Sequence, residues 1–137
     1  MSDYSDVEPE VVERLRTVCL GLPEAHEEEA WTGLRWMVRK KTFAHVLAIE
    51  DGKPQSHAKA VGDAGPITIV TFRADGDELD ALSHAGHPFF YAGWGRDVVG
   101  MVLEDATDWD EVAELLTDSY CLLAPKKLAA QVDRPDA

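Results

Sequence analysis

The sequence predicts an α+β domain, and three observations carry that reading. Apolar residues recur at helical spacing near both ends, at Val11, Leu15, Val18 and Leu22 and along a stripe from Val112 through Leu115, Leu116, Ser119 and Tyr120 to Leu123. Between them, stretches such as Ile67–Arg73 combine β-branched residues with alternation and read as strands. The elements follow the order α-β-β-β-α-β-β-α, which implies an antiparallel five-stranded sheet with the helices packed on one face.

Each element has a local cause. Pro9 suits the first position of a helix that starts near Glu8, and Gly21 and Pro23 end it. The acidic run Glu27-Glu28-Glu29 then leads into Trp31. Leu34–Arg39 is a short mixed strand, and Thr42–Glu50 is a longer one that stops at the turn signal Asp51-Gly52. Lys53–Pro66, polar and broken by proline and glycine, is expected to be a long hairpin loop leading to Ile67–Arg73. Asp75 or Asp77 caps a helix over Glu78–Ala85, with Gly86 as its stop. Phe89–Tyr91, the glycine-bracketed Gly93-Trp94-Gly95 and a strand at Asp97–Glu104 follow. Asp108 with Glu111 forms a capping-box pattern for the last helix, which Pro125 interrupts before Lys126-Lys127-Leu128.

Length and composition fit one domain over residues 1–137, with an ordered core of about 8–130. Hydrophobic residues make up 45% and charged residues 28%, a globular rather than a disordered balance. No apolar run reaches the roughly 20 residues of a membrane span, so no membrane partner is expected. Cys19 and Cys121 stand far apart with no CxxC, which argues against a disulfide framework or a zinc site. Met1–Asp6 lacks the basic and apolar regions of a secretory signal, and a cytoplasmic location is expected.

The formal net charge is −13, yet the charges are segregated. Residues 31–60 carry six bases and two acids, whereas residues 1–30 carry two bases and nine acids. An acidic exterior repels phosphate backbones and disfavours general high-affinity duplex binding. A local basic strip still acts within a screening length of about 8 Å at physiological salt.

That strip is the first candidate site. Arg35 and Arg39 share strand parity with Met37 between them, and Lys41 continues it, giving one face fit to meet an anion. A solvated face paired with the nearby acidic run is the plainer alternative. Trp94, followed by Arg96, offers a second candidate, a stacking platform beside a guanidinium. Its plainer alternative is a tight turn that tucks Trp94 into the core. The five histidines (26, 45, 57, 84 and 87) show no zincin spacing, and no metal or cofactor is expected. Ser83 and Ser119 lack an elbow motif, and both cysteines fall on apolar helical stripes. No catalytic signature stands out, so the residues read as a non-enzymatic binding protein.

Several motifs, in order, resemble the MmcQ/YjbR family. They are Leu20-Gly21-Leu22-Pro23-Glu24 with the acidic run through Glu29, Trp31, Arg39-Lys40-Lys41-Thr42-Phe43-Ala44, and Ser119-Tyr120 with Ala124-Pro125-Lys126-Lys127-Leu128. The resemblance runs from about Val11 to Leu128. It implies a small bacterial, cytosolic protein with a fold similar to type III secretion chaperones. Members are often labelled DNA-binding through a double-wing motif, a tag taken from shape, and the resemblance brings no catalytic residues. Part of the family name comes from an antibiotic biosynthesis cluster, which implies small-molecule binding or resistance. Gly93-Trp94-Gly95-Arg96-Asp97 departs from the more basic approach expected there, which weakens the DNA label for this chain.

Three functions are therefore expected in turn. The first is weak nucleic-acid binding through the basic strand, and the second is capture of a small aromatic or anionic molecule near Arg35, Arg39, Lys41, Trp94 and Arg96. The third is a chaperone-like protein-binding role drawn from fold analogy alone. Oligomeric state is left open by the sequence.

Overall fold

Pro9 opens α1 (Pro9–Cys19), whose inward stripe is Val12, Leu15 and Cys19. A computed structural model describes residues 7–63, 65–92 and 97–132 of the chain. The strands are β1 (His26–Glu29), β2 (Leu34–Val38), β3 (Lys41–Ile49), β4 (Ile67–Arg73), β5 (Phe89–Tyr91) and β6 (Val98–Leu103). They form one antiparallel sheet in the order β1-β2-β3-β4-β6-β5. The other helices are α2 (Gln55–Val61), α3 (Gly76–His84), α4 (Trp109–Leu123) and α5 (Lys126–Ala129). The α+β architecture expected from the sequence is present.

Two expectations need correction. The sheet has six strands, not five, because the acidic run His26–Glu29 is itself the edge strand β1. It shows no apolar alternation because an edge strand needs little burial, and charge there discourages further pairing. The segment Lys53–Pro66 is not a plain hairpin loop, since it contains α2. That helix packs Ala58 and Val61 on Leu47, Ile49, Ile69 and Val102, so the helices do not all lie on one face.

The main core lies on the face covered by α1 and α4. Leu34, Trp36, Val46, Val70, Phe72 and Met101 from the sheet meet Leu15, Leu116 and Tyr120 from the helices, all buried. Each such side chain contributes about 1.5–3 kcal/mol on burial. Asp108 caps α4 by accepting from the backbone N–H groups of Asp110 and Glu111, and Pro125 separates α4 from α5. Arg16 of α1 grips Glu27 of β1 through Nε and Nη2, both at 2.9 Å, and the Trp36 indole donates to the same carboxylate at 3.0 Å. This fork holds the Glu27 carboxyl below the usual carboxylate range, chiefly through its hydrogen bonds to Arg16. Among the described residues, no helix is long and apolar enough to cross a membrane.

Candidate functional site

The opposite face of the sheet is only partly covered, and polar residues collect where α2 stops. One row of directly paired residues crosses all six strands: Glu28, Arg35, His45, Thr71, Gly100 and Phe90. Paired residues project to the same side, so the row lies on one face. At its far end the Phe90 ring lies over Gly100, where a Cβ would come within 2.0 Å of the ring. At its near end Arg35, His45 and Thr71, with Thr42, Arg73 and Trp31, border a cleft of about 250 Å³.

Backbone geometry presents the walls. Gly33 has φ +74°, and a Cβ there would meet the Val46 carbonyl oxygen at 1.9 Å. Only glycine lets the β1–β2 turn lie this close to β3. That turn carries Trp31, which is 67% exposed, and Thr32, whose carbonyl accepts a 2.6 Å hydrogen bond from His45 Nε2. The His57 ring of α2 sits 5.7 Å from the Trp31 ring and 6.4 Å from the His45 ring.

The charge of the cleft follows from burial. Desolvation pushes His45 below the usual imidazole range, and it pushes His57 down to about 4 with the neighbouring His45 adding to the effect. Both rings are therefore neutral at pH 7. Arg73 and Arg35 each give one nitrogen to a carboxylate, Nη1 to Asp97 at 2.8 Å and Nη2 to Glu28 at 2.9 Å. Arg35 Nε is shut from water and has no hydrogen-bond partner among the described residues. Such a donor is expensive to leave unmet.

The cleft floor is shaped from behind by Ser119. The β3–β4 ladder ends at Ala44 and Phe72, so Phe43 and Arg73 are the next residues out. Instead of bonding each other, they share the buried Ser119 hydroxyl: Arg73 N–H donates to it at 2.8 Å, and it donates to the Phe43 carbonyl at 2.7 Å. One helix side chain thus replaces a ladder hydrogen bond and holds the strand ends apart. The gap coincides with a bulge, where Trp36 pairs with Ala44 and Met37 with Thr42, leaving Phe43 extra.

The residues expected from the basic strip do not converge. Arg35 lies in the cleft, but Arg39 occupies the tight β2–β3 turn at φ +59° and pairs with Glu24 at 3.0 Å. Lys41 pairs opposite Val38, a core residue of the helix-covered face. The turn and the bulge break the parity that places the three together in the sequence. Trp94 and Arg96 lie outside the described residues. Thr42, His45, Thr71 and His57 are the site residues that spacing does not single out. Their one signal was polarity, since His45 and Thr71 interrupt otherwise apolar strands. Among the described residues, no group of three or more His, Cys, Asp or Glu is placed to hold a metal ion. Burial pushes the Cys19 thiol up, away from nucleophilic use.

The sheet order, the clamped strand ends and the open-face cleft define a small α+β domain of a recognisable class. The chain belongs to the YjbR family, whose model matches residues 20–122. It is similar to the crystal structure of Deinococcus radiodurans protein DR2400, a DUF419 domain, with a TM-score of 0.60 and 21% identity over 92% of this chain and 90% of that one. At that identity the likeness speaks for the fold. No curated protein matches the chain. The residues that carry the family likeness form one framework. Tyr120 donates to the Pro23 carbonyl at 2.6 Å, Glu24 holds Arg39, and Ser119 bridges Phe43 and Arg73. These motifs build the scaffold behind the cleft.

Proposed function

We propose that this YjbR-family chain is a binding protein for a small molecule, taken in the open-face cleft. The observation that supports it is convergence: Arg35, the polar Thr42, His45 and Thr71, and the exposed Trp31 ring all border one cavity. Small-molecule sites combine apolar or aromatic walls with a few placed polar groups, as here. The volume of about 250 Å³ equals roughly eight waters at about 30 Å³ each, so the ligand is compact.

A melting-temperature screen of the full chain against a diverse compound set tests this, because a ligand that binds only the native state raises stability by mass action. At 100 times Kd the gain is about 2.7 kcal/mol, several degrees for a domain of this size. We expect at least one compound class to raise the wild-type melting temperature and to lose that effect in Arg35→Ala. Equal shifts in both proteins, or none across the set, would contradict the reading.

Nucleic-acid binding is the second reading, favoured by the exposed hairpin tip Arg39-Lys40-Lys41. A chaperone-like role rests on fold likeness alone.

A further inference from the structure

We infer that the ligand of the open-face cleft is a flat ring bearing a single carboxylate, and that Glu28 holds the carboxylate's place on Arg35 until the ligand arrives. This rests on the reading of the cleft as a small-molecule site and names the class of molecule it takes.

Three observations point to this class. The first is charge count. With both histidines neutral, the cleft's cations among the described residues are Arg35 and Arg73, each in one ion pair, and of the two only Arg35 keeps a buried nitrogen without a hydrogen-bond partner. One guanidinium matches one negative charge, and its planar fork suits a carboxylate.

The second is shape. The Trp31 indole is 67% exposed and borders the cleft, with the His57 ring 5.7 Å away. Aromatic rings pair at centroid distances of about 4.5–7 Å, so the indole already packs on His57, and its remaining exposed surface beside the cavity suits another flat ring. The cleft's volume of about 250 Å³ accommodates one substituted ring.

The third is exchangeability. The Arg35–Glu28 pair is 39% and 43% exposed on its two sides, and such solvent-screened rim pairs hold only weakly. Glu28 also has somewhere to go, since its other oxygen lies 3.6 Å from His26 Nε2. A ligand carboxylate can displace it from the Nη2 edge of the guanidinium.

Calorimetry on the full chain tests this with benzoate and indole-3-acetate, their neutral amides benzamide and indole-3-acetamide, and hexanoate. Both aromatic acids are expected to bind, with the amides and hexanoate each about tenfold weaker or more. Arg35→Met should abolish the preference for acid over amide, and Trp31→Ala the preference for aromatic over aliphatic acid. Glu28→Gln removes the competitor and should tighten acid binding about two- to fivefold while leaving amide binding unchanged. Circular dichroism melts of each variant separate lost binding from lost folding. Amides that bind as well as acids overturn the carboxylate, hexanoate binding as well as benzoate overturns the ring, and weaker acid binding in Glu28→Gln overturns the placeholder. An Arg35-dependent ligand of another class, with no acid binding, overturns this inference and leaves the cleft reading standing. Absence of binding by every class removes both.

Discussion

Ser119 shows how one residue can couple the helix layer to the cleft. Its hydroxyl serves two backbone groups of strands that lie 46 and 76 residues away in sequence. Ser119→Ala leaves the part-buried Arg73 N–H and the buried Phe43 C=O without that partner, an expected cost of about 1–3 kcal/mol in urea unfolding. A loss below about 0.5 kcal/mol, the range of an ordinary surface change, would mean that the strand ends close on each other without the hydroxyl. None of this is legible at residue scale in the sequence. There Ser119 reads as one more position on an amphipathic stripe, because a hydroxyl's partners depend on register across the whole sheet. Arg35, by contrast, was marked by its charge beside Trp31 and Trp36, and it does stand in the cleft.

At the scale of elements, what was legible followed periodicity. The two long helices and the strands β3, β4 and β6 show clear apolar patterns, and their positions match within a residue or two. β1 and α2 were missed for physical reasons. An edge strand made of His-Glu-Glu-Glu has no buried face to advertise, and α2 is seven residues long, bounded by Pro54 and Gly62. Yet α2 brings His57 into the site. Burial lowers His57 to about 4 in the folded chain against an ordinary value near 6.5. The unfolded chain takes up the proton first as pH falls, so this contribution to stability is intact above pH 6.5 and is lost on the way down to about pH 4. It amounts to at most about 3 kcal/mol. His57→Gln should flatten the stability profile between those limits in pH-dependent denaturation, with little change in slope above pH 7. A wild-type slope retained in the variant would show that His57 is as easily protonated in the folded chain as in the unfolded one.

For the molecule as a whole, the arginine part of the charge segregation seen in the sequence is taken up in ion pairs. The five arginines among the described residues are ion-paired, to Glu10, Glu13 and Glu27, Glu28, Glu24, and Asp97. The hairpin tip offers three bases, one of them in such a pair, on a chain of net charge −13. Three neutralised phosphates give a slope of log K against log salt of about −2.7, far shallower than for a dedicated duplex binder. Fluorescence anisotropy with random-sequence duplex should therefore show weak binding at low salt that vanishes at physiological salt. Binding that persists there and is lost in Lys40→Ala/Lys41→Ala would restore the wing reading. The fold class and the family were legible because they rest on many loosely spaced residues at once. The cleft was not, because it is assembled from one residue each of several strands, a turn and a short helix.

The central claim is that the open-face cleft takes a small molecule on Arg35. Its most direct test is a two-dimensional amide NMR titration of the full chain with whichever compound raises the melting temperature most. The account predicts shifts clustered at Arg35, Thr42, His45 and Thr71, together with the Trp31 indole. A cluster at the Arg39–Lys41 tip, or on the helix-covered face, would contradict it.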